Sequence, residues 1–143
     1  MIAVDTNVLI HAHREEMPLH EAALGLLRKL AEGGNPWGIP VPCLAEFVRV
    51  VTHPRVFAPP SDLSIAFEFL ERLLASPSAR LLLAADDFPA RFRRVAEAAA
   101  ASGNLAFDAQ IAAICLERGA TELVTLDRDF ARFEGIAMRG IEV

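Results

Sequence analysis

The sequence predicts an α/β protein, a central parallel sheet sandwiched between two layers of helices. Short apolar runs of strand length alternate with longer stretches of helical periodicity, and that alternation builds a parallel sheet covered on both faces. Aspartates stand where two of the runs end, at the carboxyl edge where such sheets keep their functional crevice. The 143 residues are 53% hydrophobic and 23% charged. That is the size of one ordinary domain, with enough apolar surface for a core and too much for a disordered chain.

Met1 to Val4 is the first apolar run, closed by Asp5-Thr6-Asn7, and Val8-Leu9-Ile10 opens a helical stretch. Between Pro18 and Glu32, residues Leu19, Ala22, Ala23, Leu26, Leu27 and Leu30 recur at helical spacing. Pro18 suits a first turn, and Gly33-Gly34-Asn35-Pro36 stops the helix. Trp37 to Val41 is a short strand hemmed by prolines. From Pro42, the positions Leu44, Phe47, Val48 and Val51 mark an amphipathic helix ending at His53-Pro54. A proline-containing loop over 55–61 leads to a helix from about Leu63 to Ala75. Arg80 to Ala84 is a strand candidate, though its leucines and alanines suit a helix as well. Helices follow over Phe88 to Ser102, stopped by Gly103-Asn104, and over Ala106 to Arg118, ending at Gly119. Glu122 to Leu126 is a strand, Arg128 to Phe133 a short helix, and the last residues an edge strand.

The net charge of −5 excludes a broadly basic surface clamped onto phosphates. Nucleic-acid binding would require a local basic patch or a metal ion. Charges interrupt every apolar run short of the roughly 20 residues of a membrane span, and Asp5 stands where a leader would be basic. Cys43 and Cys115 sit in apolar settings without metal-ligand spacing, as reduced thiols do. A cytoplasmic location is expected.

Asp5 and Asp127 close strands and so face the same crevice. Asp108 stands in the first turn of an otherwise apolar helix, and Glu46 lies early on another between Ala45 and Phe47. Singly, each has a bland explanation as a helix cap, a dipole partner or a solvated charge. Four carboxylates in one crevice would instead raise each other's pKa unless a cation neutralised them. Oxygen-only donors select hard cations, and a carboxylate-held Mg²⁺ or Mn²⁺ is standard equipment for phosphodiester hydrolysis.

On four elements the chain resembles the PIN-domain ribonucleases, and within them the VapC-type toxins of type II toxin–antitoxin pairs. These are Val4-Asp5-Thr6-Asn7-Val8-Leu9-Ile10, Ala45-Glu46-Phe47, Gly103-Asn104-Leu105 leading to Asp108-Ala109-Gln110-Ile111-Ala112-Ala113, and Val124-Thr125-Leu126-Asp127-Arg128-Asp129-Phe130-Ala131-Arg132-Phe133. The resemblance runs nearly end to end and implies a single PIN-like domain over 1–143. It implies that Asp5, Glu46, Asp108 and Asp127 are the catalytic metal-binding acids. Asp5 and Asp108 would hold the principal Mg²⁺ (or Mn²⁺), with Glu46 and Asp127 acting through water or at a second site. Asp129 would be an auxiliary acid, with Thr6, Asn7 and Thr125 supporting the others. The implied activity is Mg²⁺-dependent endoribonuclease, and the implied partners are an RNA substrate, a VapB-like antitoxin and a second copy of the chain. Early helices of the family form a groove for the antitoxin; the apolar stripes of Pro18 to Glu32 and Leu63 to Ala75 serve either core or that groove.

Arg49 and His53 stand at i and i+4, with Arg55 beyond Pro54. They form a candidate RNA-phosphate patch, or else a solvated face with intrahelical ion pairs. His11 and His13 are two apart, a poor metal pair, and are expected at the surface. Two rivals remain. A haloacid-dehalogenase-like phosphohydrolase wants a second acid where Asn7 stands and a late lysine, whereas Lys29 is the only lysine; a phosphate-receiver domain fails on that lysine too. A non-catalytic interaction module would require the four acids to be dispersed, or to bind no metal.

Overall fold

The computed structural model describes residues 1–142. The elements are β1 (Ile2–Val4), α1 (Thr6–His13), α2 (His20–Glu32), β2 (Trp37–Pro40), α3 (Val41–Val51), α4 (Leu63–Leu74), β3 (Ala79–Leu82), α5 (Phe88–Ala98), α6 (Leu105–Glu117), β4 (Glu122–Val124), a 3₁₀ turn (Arg128–Arg132) and β5 (Ala137–Arg139). The strands form one sheet in the order β3-β2-β1-β4-β5. Every pairing is parallel, with Ile2 opposite both Trp37 and Glu122. The predicted edge strand is β5; Val143 lies outside the described residues.

Topology decides where the functional edge falls. From β1 the chain steps outward to β2 and β3, then crosses back to β4 and β5 on the other side of β1. Right-handed crossovers therefore put α1–α4 on one face and α5–α6 on the other. The packing agrees: α1 rests on α2 and α3, α3 on α4, and α5 on α6. The result is the three-layer sandwich the sequence predicts. The order reverses between β1 and β4, and a crevice opens beyond their carboxyl ends.

The sheet buries Ala3, Val4, Trp37, Ile39, Leu123 and Val124, against Leu9, Leu27 and Phe47 from the helices of one face and Ile114 from α6 on the other. Trp37 keeps its indole N–H satisfied by Ser78 Oγ at 3.2 Å. A β-carbon at position 38 would meet the Leu82 side chain at 2.6 Å, so glycine there lets β2 and β3 pack. The end of α6 is tied down by Glu117, whose 2% exposed side chain lies 3.4 Å from Arg91 Nε and accepts from the Ala85 amide at 3.0 Å. That anchorage fixes the helix whose other end carries Asp108.

Several boundaries differ from the sequence pattern by a residue or more, and two of the shifts have a visible cause. The stretch predicted as helix to Ser102 ends at Ala98, because the chain turns left-handed at Ala100 with φ 50°. Ala101 N then donates to Ala96 O at 2.9 Å, closing the helix as a glycine normally does. The predicted strand to Leu126 stops at Val124, since Thr125 and Leu126 turn into the crevice. Alanine tolerates positive φ poorly, at a cost of roughly 1–2 kcal/mol offset in part by glycine's greater unfolded entropy. Ala100→Gly should therefore stabilise the protein by about 0.5–1 kcal/mol, read as a higher urea midpoint at unchanged slope.

Candidate active site

Asp5 follows β1 directly and is only 5% exposed. It caps α1, its Oδ1 accepting from the Thr6 amide at 2.8 Å. Its Oδ2 accepts from Thr125 Oγ1 at 2.7 Å and from Asn7 Nδ2 at 3.3 Å. Cys43 Sγ lies 3.8 Å from Oδ1. Burial raises the pKa of Asp5, the Thr125 and Thr6 bonds oppose that rise, and the nearby charges of Glu46 and Asp127 add to it. The thiol of Cys43, fully enclosed beside this carboxylate, is pushed well above its ordinary value and held inert.

The remaining acids arrive from three other elements. The Thr6 hydroxyl donates to Glu46 Oε2 at 3.1 Å, so one residue bridges Asp5 on β1 and Glu46 on α3. Thr125 does the same on the other side: its hydroxyl serves Asp5, and its Oγ1 accepts from the Asp127 amide at 3.0 Å. Asn7 reaches across to Thr125 Oγ1 at 3.2 Å and accepts the Leu126 amide at 3.2 Å. Asp127 caps the 3₁₀ turn by accepting from the Asp129 amide at 2.9 Å. Carboxylate oxygens of Asp108, Asp127 and Asp129 all lie within 4.8 Å of one another.

The four acids singled out in the sequence are thus brought to one edge, but not as one uniform ring. Asp108 and Asp127 sit together, and the third member of that tight group is Asp129, which the sequence suggested only as an auxiliary. Asp5 and Glu46 join through threonine hydroxyls. The capping explanation holds for Asp5 and Asp127 too, and does not compete with clustering: a residue that starts a helix at the carboxyl edge is already in the crevice.

The electrostatics are those of an uncompensated cluster. Burial, and then the charges of Asp127, Asp5, Asp129 and Glu46, push Asp108 up to about 7. Among the described residues no side-chain cation pairs with any of the five. An all-oxygen donor set with surplus negative charge and no internal counter-ion fits a hard divalent cation.

The basic residues fare differently. Arg49 is exposed on α3 and makes no ion pair with Glu46, so the intrahelical explanation is not met. His53 does not share its face, because α3 ends at Val51, two residues short. The residue before a proline is barred from helical geometry, and Pro54 imposes that on His53. Its Nδ1 instead accepts the Arg55 amide at 3.0 Å, inside the loop that exposes Arg55. The α1 histidines are not surface groups. His13 is wedged against Phe47 and Phe69 with ring centroids 5.3 and 4.9 Å away and its Nε2 2.8 Å from Ser61 Oγ. His11 holds the turn into α2, its Nδ1 accepting from the Leu19 amide at 3.2 Å. Their helix packs on both α2 and α3, which leaves it little free surface.

Fold and site together define a class: a three-layer α/β protein presenting a carboxylate cluster at the switch point of a parallel sheet. The family profile described as "PIN domain" matches residues 2–136. The VapC ribonuclease Mb2897 of Mycobacterium bovis is 42% identical over 139 residues, 97% of this chain and 94% of that protein. Ribonuclease VapC48 of Mycobacterium tuberculosis is 33% identical over 135 residues, covering 94% of this chain and 93% of its own. Among solved structures, VapBC2 of Rickettsia felis bound to a promoter DNA fragment matches with a TM-score of 0.70 at 19% identity, over 99% of this chain and 100% of that one. The sarcin-ricin-loop-cleaving toxin VapC20 of M. tuberculosis matches at 0.67 and 17% identity, over 96% and 99%. The chain belongs to the PIN-domain family. Nucleases of that family are metal-dependent, and an acidic cluster suited to a metal stands here.

A carboxyl whose pKa rises from 3.8 unfolded to about 7 folded binds its proton more tightly in the native state. Native stability is therefore favoured at low pH and lost as pH rises through that window. Without divalent cation, the melting temperature should fall between pH 5 and pH 8. Asp108→Asn should flatten that slope, and Mg²⁺ should raise the melting temperature most at pH 8, all read by thermal denaturation.

Proposed function

We propose that this chain is a metal-dependent endoribonuclease, the toxin of a type II toxin–antitoxin pair. It would act in the cytoplasm through a single PIN domain spanning residues 1–143. One observation carries the reading: five carboxylates meet at the switch point with no side-chain counter-ion among the described residues, in a chain 42% identical to a VapC ribonuclease.

Asp5 and Asp108 would hold the principal cation, Mg²⁺ with Mn²⁺ as the alternative, while Glu46, Asp127 and Asp129 complete its surroundings. Bound there, a divalent cation supplies Lewis-acid polarisation of the phosphodiester, activation of the attacking water and neutralisation of the leaving oxygen. The chain's own residues aim the donors. Thr125 and Asn7 lock the Asp5 carboxylate in one orientation, and Thr6 does the same for Glu46. Such supports of metal ligands typically matter tenfold to a hundredfold. No side-chain nucleophile is required, and the two thiols near Asp5, Cys43 and Cys115, are buried and kept protonated. Arg49, Arg55 and His53 would take RNA phosphates beside the acids.

The antitoxin and a second copy of the chain are the protein partners this reading implies. The apolar stripe of α4 divides in the structure, with Ala66 and Leu70 buried and Leu63, Ile65 and Phe67 exposed. Leu63 and Phe67, one turn apart on the same side, mark the face such a partner would cover. The interaction-module rival needs acids that are dispersed or that bind no metal; they are gathered at one edge, and the dependence of cleavage on the cation decides the second.

Purified protein should cut total cellular RNA at discrete sites with Mg²⁺, and not with EDTA. Asp5→Asn, which keeps the shape and the Thr6 bond, should abolish cleavage with an unchanged circular dichroism spectrum. Persistent cleavage by that variant would remove Asp5 from the assignment. Arg49→Ala and Arg55→Ala should each weaken RNA binding uniformly across sequences and reduce the salt slope by about one, measured by titration at several salt concentrations.

A further inference from the structure

The aromatic side chain next to the acid cluster is not used by anything in the protein. Phe107 immediately precedes Asp108 on α6 and is 68% exposed, the most exposed large apolar side chain among the described residues. The core face of α6 lies elsewhere, through Ala109 and the run Ile111–Cys115. The Phe107 ring stacks on no other aromatic and sits under no cation among the described residues. Successive helical residues project about 100° apart, so this ring stands beside the Asp108 carboxylate and leaves it open. A second exposed apolar side chain, Leu126, likewise precedes Asp127, whose carboxylate lies within 4.8 Å of that of Asp108.

We propose that Phe107 is a stacking platform for a base of single-stranded RNA flanking the scissile phosphate, so that it positions substrate at the acids. This rests on the nuclease reading and extends it to how the substrate is held. A phosphate seated at the carboxylates carries its nearest base within one nucleotide, which is the reach of a side chain one residue from Asp108. Bases splayed from single strands are held on aromatic faces in this way, with little sequence preference. The surroundings favour a base over a protein. The neighbours of Phe107 one turn away are Gly103, Asn104, Gln110 and the buried Ile111, so the ring has no exposed apolar companion on α6. The exposed Leu63 and Phe67 of α4, one turn apart on the same face, instead form an apolar pair of the kind proteins cover.

Sequence tolerance permits a test without the natural target. Labelled octaribonucleotides with bases, and abasic octamers of the same backbone, are titrated with wild type, Phe107→Ala, Phe107→Leu and Phe107→Trp, with Ca²⁺ present to neutralise the acids. Wild type should prefer the base-containing strand by about tenfold or more. The alanine and leucine variants should lose that preference while binding the abasic strand as wild type does. The tryptophan variant should keep it, and its emission, readable because the single native Trp37 is fully buried, should be quenched only by the base-containing strand. An equal preference in wild type and Phe107→Ala overturns the proposal, as does a shift of Phe107→Ala from dimer to monomer on size exclusion, which assigns the ring to a contact between copies. Cleavage of total RNA by wild type with Mg²⁺ is run in parallel. If it persists while base preference is absent, stacking fails and the nuclease reading stands; if wild type binds and cleaves no RNA, both fall.

Discussion

A carboxylate held out of water at the end of the central strand governs how the whole carboxyl edge is built. Asp5 is nearly buried, and a buried charge is tolerable only when its lone pairs are filled. The donors that fill them come from the first turn of α1 and from Thr125 just past β4. Each then carries a second duty. Thr6 holds Glu46, Thr125 receives the Asp127 amide, and Asn7 ties Thr125 to Leu126. The need to solvate one carboxylate thus sets the positions of two others, and joins β1, β4 and α3 at the point where the strand order reverses.

Helix ends supply part of the compensation. Asp5 and Asp127 are caps, and Asp108 and Asp129 stand in first turns. A helix N-terminus carries about half a positive charge, and its effect fades within a turn. Glu46, in the second turn of α3, gains less. Such partial charges offset a carboxylate or two, not five. Asp108 registers the shortfall: burial first, and then the charges of the other four acids, raise its pKa to about 7. For Asp5, Glu46 and Asp127 the crowding is a property of the fold, since they cannot move apart without breaking the threonine bridges.

Much of this edge was legible in the chain. An aspartate closing an apolar run, followed by helical periodicity, can only sit at the carboxyl end of a parallel strand, and two such runs place Asp5 and Asp127 together. Glu46 and Asp108 were legible through the resemblance more than through spacing, because helical position alone does not say which helix end meets the sheet edge. What stayed hidden depends on tertiary partners. The alanines at 98–101 have the strongest helical preference available, yet the chain turns at Ala100. The weak strand pattern of Arg80 to Ala84 reflects β3 being an edge strand, with Leu81 and Leu83 half in water. His13 looked like a surface residue because nothing local announces Phe47 and Phe69, 34 and 56 positions away. The prominence of Asp129 was missed for a related reason: Asp127 is an extended cap, and its bond from the Asp129 amide draws the two residues together in a way that helical spacing does not announce.

The acidity of the chain then has a physical consequence for any polyanionic substrate. With the clustered carboxylates unpaired by any side-chain cation among the described residues, the crevice repels phosphate more strongly than the net charge of −5 suggests, even where Asp108 keeps its proton. A single divalent cation removes two of those charges where phosphate must approach, while Arg49, Arg55 and Arg128, all exposed and without carboxylate partners among the described residues, remain available at the rim. Metal binding and substrate binding are therefore coupled through charge alone, with no conformational switch required. The same acids that would make hydrolysis possible with a cation keep RNA away without one.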